Sequence, residues 1–202
     1  MLVTLIRHGQ IPANIDRRYI GRTNQLLTDE GKRQAARAKV PEVDKVFVSP
    51  YTRCLQTADI MYPGMEHTEV EDLREMDFGI FENKTADEMV DFKPYRDWVD
   101  SMCEGPVPDG ETMAEFHDRC SAAFEDVIKS CDPDERLAFV VHGGTIMAVM
   151  GAFNDEGRSY FEYHLENCQF FTCEVRWEPK LKLHRIAGAE PGGRLPPKVE
   201  DK

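Results

Sequence analysis

The sequence predicts an α/β protein, a three-layer α/β/α sandwich with a mainly parallel sheet and an antiparallel hairpin at one edge. Three observations predict it. Short apolar, β-favouring segments alternate with amphipathic helical ones from residue 2 to about residue 153. Two of the apolar segments, 2–6 and 137–141, run straight into a histidine and a glycine, His8-Gly9 and His142-Gly143. Near the end, two strand-like segments are joined only by a short turn, as in a hairpin. With 202 residues, 41% of them hydrophobic, the chain suits one domain with a sizeable core.

The opening strand stops at Arg7, His8 and Gly9. In open α/β sheets ligands gather beyond the carboxyl ends of the strands, so Arg7 and His8 fall on a functional rim, and Gly9 lets backbone come close. Residues 11–27 form a loop with Pro12, Asn14, Gly21, Asn24 and three arginines, which suits a functional rim better than a plain connector. Thr28 is an N-cap with Asp29 and Glu30 in the first turn, opening a helix to about Lys39 that Pro41 closes. Residues 46–48 form a buried strand. Ser49-Pro50 then reads as N-cap and first residue of a helix with Cys54, Ala58 and Met61 on one face. Arg53 lies in its opening turns, where a helix start and a guanidinium fork together suit a phosphate.

A short strand falls within 63–70, and 73–79 mixes apolar and acidic residues as rim loops do. Thr85 and Glu88 form a capping box for a helix to about Phe92, and a further helix is predicted from Tyr95 to Cys103. A turn-rich connector at 105–110 leads to a second capping box, Thr112 to Glu115. Its helix carries a core stripe of Met113, Phe116, Cys120, Phe124, Val127 and Ile128, and His117 on it reads as structural. The strand at 137–141 delivers His142, Gly143 and Gly144, with an apolar helix from about Ile146 to Phe153. Phe171, Cys173, Val175 and Trp177 alternate with polar residues as one hairpin strand, and 181–186 is the other. From Gly188 the composition predicts a flexible tail. The domain is therefore expected to span 1–187, with 80–110 as a small helical cap insertion.

The net charge of −12 argues against general binding to nucleic acid or anionic membranes. Yet residues 1–60 hold ten Lys/Arg against six Asp/Glu, which is compatible with a small anionic ligand. No apolar run approaches the ~20 residues of a membrane span, and no signal-peptide pattern is present, so a cytoplasmic location is expected. The six cysteines form no CxxC pair and read as reduced thiols. His164, Cys168 and Cys173 match no usual zinc spacing, so neither a metal nor another cofactor is expected.

Two histidines, two arginines and a rim carboxylate suit phosphoryl transfer, which asks a protein mainly for positioning and for cations around the equatorial oxygens. A neutral imidazole can take the phosphoryl group covalently, and a carboxylic acid can protonate the leaving alkoxide. The motifs Arg7-His8-Gly9 with Asn14, Gly21 and Leu27-Thr28-x-x-Gly31, then Ser49-Pro50-x-x-Arg53-x-x-Gln56-Thr57-Ala58, are joined by Leu73-x-Glu75-x-x-Phe78-Gly79-x-x-Glu82, Gly110-Glu111-Thr112 and Val141-His142-Gly143-Gly144. In this order they resemble the histidine phosphatase superfamily, the phosphoglycerate-mutase-like proteins, over roughly residues 2 to 175. The resemblance implies that His8 is the nucleophile and that Arg7, Arg53 and His142 form the phosphate pocket. Glu75 would be the general acid and later the base, with Gly9, Asn14, Gly21 and Gly143 contributing to substrate binding. It implies no metal.

The chain departs from the family pattern at two places. Members often have Glu-Gly where this chain has Glu82-Asn83, and Asn tolerates a left-handed turn. Residues 23–28 also lack the Asp and Pro common there. The expected activity is hydrolysis of a small phosphorylated metabolite. The short cap is similar to that of α-ribazole phosphatases and broad-specificity small-molecule phosphatases, which makes α-ribazole 5′-phosphate one expected substrate. The alternatives are a phosphoglycerate mutase and a phosphate-binding protein without catalysis. Phe81, Phe92, Tyr95 and Trp98 either wall the substrate or only pack the cap. The Phe170-Phe171 strand and its hairpin offer an edge for pairing with a second copy as a homodimer.

Overall fold

The computed structural model describes residues 1–177 and 179–189. One six-stranded sheet has the order β3-β2-β4-β1-β5-β6. Its strands are β1 (Leu2–Arg7), β2 (Lys45–Val48), β3 (His67–Glu69), β4 (Arg136–Val141), β5 (Phe170–Trp177) and β6 (Leu181–Gly188). The first four are parallel, and β5 and β6 add an antiparallel edge beside β1. Sheet and helices form the predicted α/β architecture.

Both faces of the central strands are covered, which explains their near-continuous apolar sequences. Val3 and Leu5 of β1, with Leu137, Phe139 and Val141 of β4, pack under helices α5 (Met113–Ser130) and α6 (Gly143–Phe153). The alternate residues Ile6, Ala138 and Val140 face Cys54 and Ala58 of α3 (Thr52–Met61) on the other side. A second apolar cluster joins Phe81, Met89, Tyr95, Trp98 and Val107 to Phe116 and Cys120 of α5, so residues 79–110 are anchored against that helix.

Several boundaries differ from expectation. The 11–27 loop contains one helical turn, α1 (Pro12–Ile15), with Pro12 in its first turn and Ala13 buried. Helix α2 (Asp29–Arg37) has its Thr28 cap, Thr28 Oγ1 accepting from Gly31 N at 2.9 Å. It ends well before Pro41, and the extended chain carries Val40 and Val43 to the α3 side of the core. Ser49 caps nothing. Helix α3 begins after Tyr51, and the N–H of Thr52 is taken by Asn24 Oδ1 at 2.9 Å instead.

The box at Thr85 and Glu88 is formed, but only a 3₁₀ turn follows (Asp87–Met89), because Phe92 stays extended as the cap of α4 (Lys93–Asp100) with Pro94 in its first turn. Left-handed backbone at Met102 and Cys103 (φ 59° and 67°) terminates α4 short of its expected end. Helix α6 starts at Gly143, earlier than expected. Strand β6 runs through Gly188, which pairs with Phe171, so the expected tail does not begin there, and its residues 190–202 lie outside the described ones.

Among the described residues no helix is long and apolar enough to cross a membrane. All six cysteines are free, and five of them are buried.

Candidate active site

Parallel pairing of β1 and β4 sets Arg7 opposite Val141, so His8 and His142, each one residue past its strand, emerge side by side. Their rings meet edge to face with centroids 5.3 Å apart. The Nδ1 of His8 is 2.7 Å from the carbonyl oxygen of Gly9. A carbonyl only accepts, so Nδ1 carries the proton and Nε2 keeps its lone pair. Burial, with Arg53 and Arg7 nearby, holds the His8 pKa well below 6.5, and the ring is neutral at neutral pH.

Arg53 is completely buried. Its Nε donates to His142 Nδ1 at 3.2 Å, and its terminal nitrogens donate to the carbonyls of Thr23 at 2.9 Å and Gly21 at 3.1 Å. Each terminal nitrogen has a second N–H beyond these bonds. The guanidinium also lies over the Tyr51 ring, 4.5 Å from its centroid. Because His142 Nδ1 accepts from Arg53, its proton sits on Nε2, which donates to Ser49 Oγ at 2.7 Å. Burial and then Arg53 push the His142 pKa well below 6.5.

Glu75 lies across the cleft on the 74–78 loop. Its Oε1 accepts from the N–H of Met76 and its Oε2 from the N–H of Gly144, each at 3.0 Å. Burial nevertheless raises its carboxyl above the usual 4.5, the direction a general acid needs. Arg119 forks onto Glu111 with two bonds of 2.8 Å, and Glu111 Oε2 accepts from Asp77 N at 2.9 Å, bracing that loop.

Arg7, His8, Asn14, Glu75 and Gly143 line one cleft of about 650 Å³. Helix α6 opens at Gly143, so the positive end of its dipole faces the same space. Arg53 and His142 do not line this cleft: the His142 ring packs against that of His8, and Arg53 is bonded to His142. Gly9 and Gly21 serve the protein's own backbone. A Cβ at 9 would lie 2.8 Å from the Gly31 carbonyl, one at 21 would overlap the Met76 carbonyl, and Gly9 N donates to Thr57 Oγ1 at 2.9 Å.

Asn167 was not singled out by its sequence. Its Nδ2 donates to the His8 carbonyl at 2.9 Å and to Asn14 Oδ1 at 3.1 Å, and it lines the cleft. Ser49, whose partner His142 is 93 positions away, and Arg119, which also donates to the carbonyls of Asp72 at 2.7 Å and Arg74 at 3.2 Å, are likewise not legible in these roles. Of the four cap aromatics only Trp98 lines the cleft. Phe81 and Tyr95 pack behind it, and the rest of the aromatic wall comes from Tyr19, Phe78, Tyr160 and Phe161. No group of three or more potential metal ligands occurs among the described residues.

A family model for the histidine phosphatase superfamily (branch 1) matches residues 3–183. Proteins named probable phosphoglycerate mutase GpmB, from Cronobacter sakazakii and Enterobacter sp. strain 638, are 32% and 33% identical over 149 residues, covering 70% of this chain and 69% of theirs. Among solved structures, a putative alpha-ribazole-5′-P phosphatase from Escherichia coli superposes with a TM-score of 0.81 at 21% identity, over 96% of this chain and 98% of that one. A phosphoglycerate mutase from Thermus thermophilus gives 0.69 at 25% identity, over 93% and 99%.

Proposed function

This chain belongs to the histidine phosphatase superfamily, and from that premise we propose that it hydrolyses a small phosphomonoester through a phosphohistidine on His8. The observation that carries the reading is the fixed tautomer of His8, with Nε2 unprotonated beside Arg7 and opposite Glu75. Nε2 attacks phosphorus, the ester P–O bond breaks, and the leaving alkoxide takes the proton of Glu75. The phosphoimidazolium keeps its Nδ1–H on the Gly9 carbonyl. The resulting Glu75 carboxylate then takes a proton from water as its oxygen attacks phosphorus. The N–P bond breaks and neutral His8 is restored. Arg7, Arg53 and the start of α6 bind the equatorial oxygens. Side chains supply every step, so no metal is required.

Residues 80–110 act as a cap that shapes the leaving-group end of the cleft. The wall of Tyr19, Phe78, Trp98, Tyr160 and Phe161 favours an ester whose alcohol carries a flat, weakly polar group, α-ribazole 5′-phosphate among the candidates. A mutase acting on phosphoglycerates is the second reading, supported by the names of the relatives at 32–33% identity.

The test is hydrolysis of p-nitrophenyl phosphate in excess EDTA. His8→Ala is expected to lose about four orders of magnitude, as nucleophile removal does elsewhere. Unchanged activity in that variant would remove His8 from its role. Bisphosphoglycerate-dependent exchange between phosphoglycerates that outruns hydrolysis would replace the phosphatase reading with the mutase.

A further inference from the structure

Glu82 lies outside the cleft, yet it holds the segment that holds Arg53. Its Oε1 accepts from the backbone N–H groups of Gly21 at 3.0 Å and Thr23 at 2.8 Å, and its Oε2 also lies 3.0 Å from Gly21 N. The carbonyls of these same two residues, Gly21 and Thr23, are the acceptors for the terminal nitrogens of Arg53. Carboxylate and guanidinium thus grip one three-residue loop through opposite groups of the same residues. Gly21 cannot carry a side chain here because of the Met76 carbonyl. Asn83, in left-handed backbone at φ 62°, donates to the Tyr19 carbonyl and the Thr23 hydroxyl, both at 2.9 Å, which sets Glu82 in place.

We propose that Glu82 is a positioning residue for Arg53, acting through the loop carbonyls of Gly21 and Thr23 to aim the guanidinium at the phosphoryl group. A carboxylate is the right group because it is acceptor-only and can satisfy both N–H donors with charge-assisted bonds. It also polarises the loop's peptide units, strengthening the carbonyls that Arg53 uses. Of the three hydrogen-bond acceptors of Arg53, two belong to this loop, while His142 and the Tyr51 ring hold the guanidinium from outside it. The assignment rests on the reading of Arg53 as part of the phosphate pocket.

The experiment is a double-mutant cycle of Glu82→Gln and Arg53→Lys, read by p-nitrophenyl phosphate hydrolysis and by inorganic phosphate affinity, with the ¹⁵N–¹H resonance and exchange rate of Arg53 Nε in parallel. Glu82→Gln is nearly isosteric but turns an N–H toward a donor. It is expected to cost on the order of ten- to a hundredfold in kcat/KM, with weaker phosphate binding and faster exchange at Arg53 Nε. In the Arg53→Lys background the same change is expected to cost no more than about twofold, since the group it positions is gone. Glu82→Asp should recover part of the loss.

Equal costs in both backgrounds, or an Arg53 Nε signal that ignores Glu82→Gln, would overturn the proposal. If the wild type neither hydrolyses nor binds phosphate, the phosphatase reading fails. The Arg53 signal then still decides whether Glu82 positions the guanidinium.

Discussion

Gly144 and Glu75 are matched across the cleft: the N–H of Gly144 donates to Oε2 of Glu75 at 3.0 Å, and a Cβ at position 144 would overlap Oε1. The atoms in the way are the far end of a flexible side chain, so Gly144→Ala can be accommodated by moving Glu75. The expected result is a thermal midpoint within a few degrees of wild type, with kcat reduced about a hundredfold or more. A variant that keeps its activity would show that the carboxyl need not be held where it is.

In the proposed mechanism Glu75→Gln removes a proton donor and later a base. Its cost should depend on the leaving group, being smallest in the first step for p-nitrophenyl phosphate and about a hundredfold or more for alkyl phosphates. Loss of the base should also let phosphohistidine accumulate, visible by rapid quench with ³²P-labelled substrate. Equal losses on aryl and alkyl esters would argue against a general acid at this position.

The pH profile of hydrolysis follows from opposite shifts. Burial, Arg53 and Arg7 depress His8, so the neutral nucleophile persists below pH 6.5. Burial raises Glu75, so its protonated form extends above 4.5. The optimum is therefore expected on the acid side of neutrality, with the alkaline limb belonging to Glu75 and moved or lost in Glu75→Gln. An optimum well above neutrality would contradict the assignment of Glu75 as the acid.

Stability should fall on mild acidification. His8 and His142 stay neutral in the fold but bind protons when unfolded, so their contribution is full above 6.5 and is lost as pH falls toward their depressed values. Glu75 acts in the opposite sense, its contribution present below 4.5 and lost as pH rises through its raised value. Burial depresses His117 as well, so three histidines act against one carboxyl and the urea midpoint should drop between about pH 7.5 and about pH 5, less steeply in His142→Gln.

Gly31→Ala should be costly to the fold. Its Cβ would overlap the backbone carbonyl of Gln10, which cannot swing away as a side chain can. A loss of about 2 kcal/mol or more is expected from urea unfolding, unlike the mild effect at position 144.

The strands, their order of appearance and the residues at their ends are legible in the sequence because apolar runs and their terminators are local signals. The helix starts are less so. Ser49-Pro50 carries the chemistry of an N-cap, but Ser49 is drawn to His142, 93 positions away, and Asn24 satisfies the helix instead. The Thr85 box forms its bonds without a helix because Phe92 is held extended as the cap of α4, while Met89 and Phe81 are committed to the cluster against α5. At the site, Arg7, His8 and His142 stand at strand ends and can be read. Asn167, Arg119 and the function of Glu82 cannot, since each acts through backbone atoms of a distant segment.

Strand β1 carries Arg7 and leads into His8, and it is flanked on one side by residues 136–141 and on the other by 170–174. During synthesis this apolar segment therefore leaves the ribosome well over a hundred residues before either neighbour exists. It must stay unpaired, or be shielded by chaperones, until β4 and β5 arrive. His8 is thus seated by one of the last pairings to form, and a nascent chain cannot bring His8 beside His142 until its sheet is nearly whole.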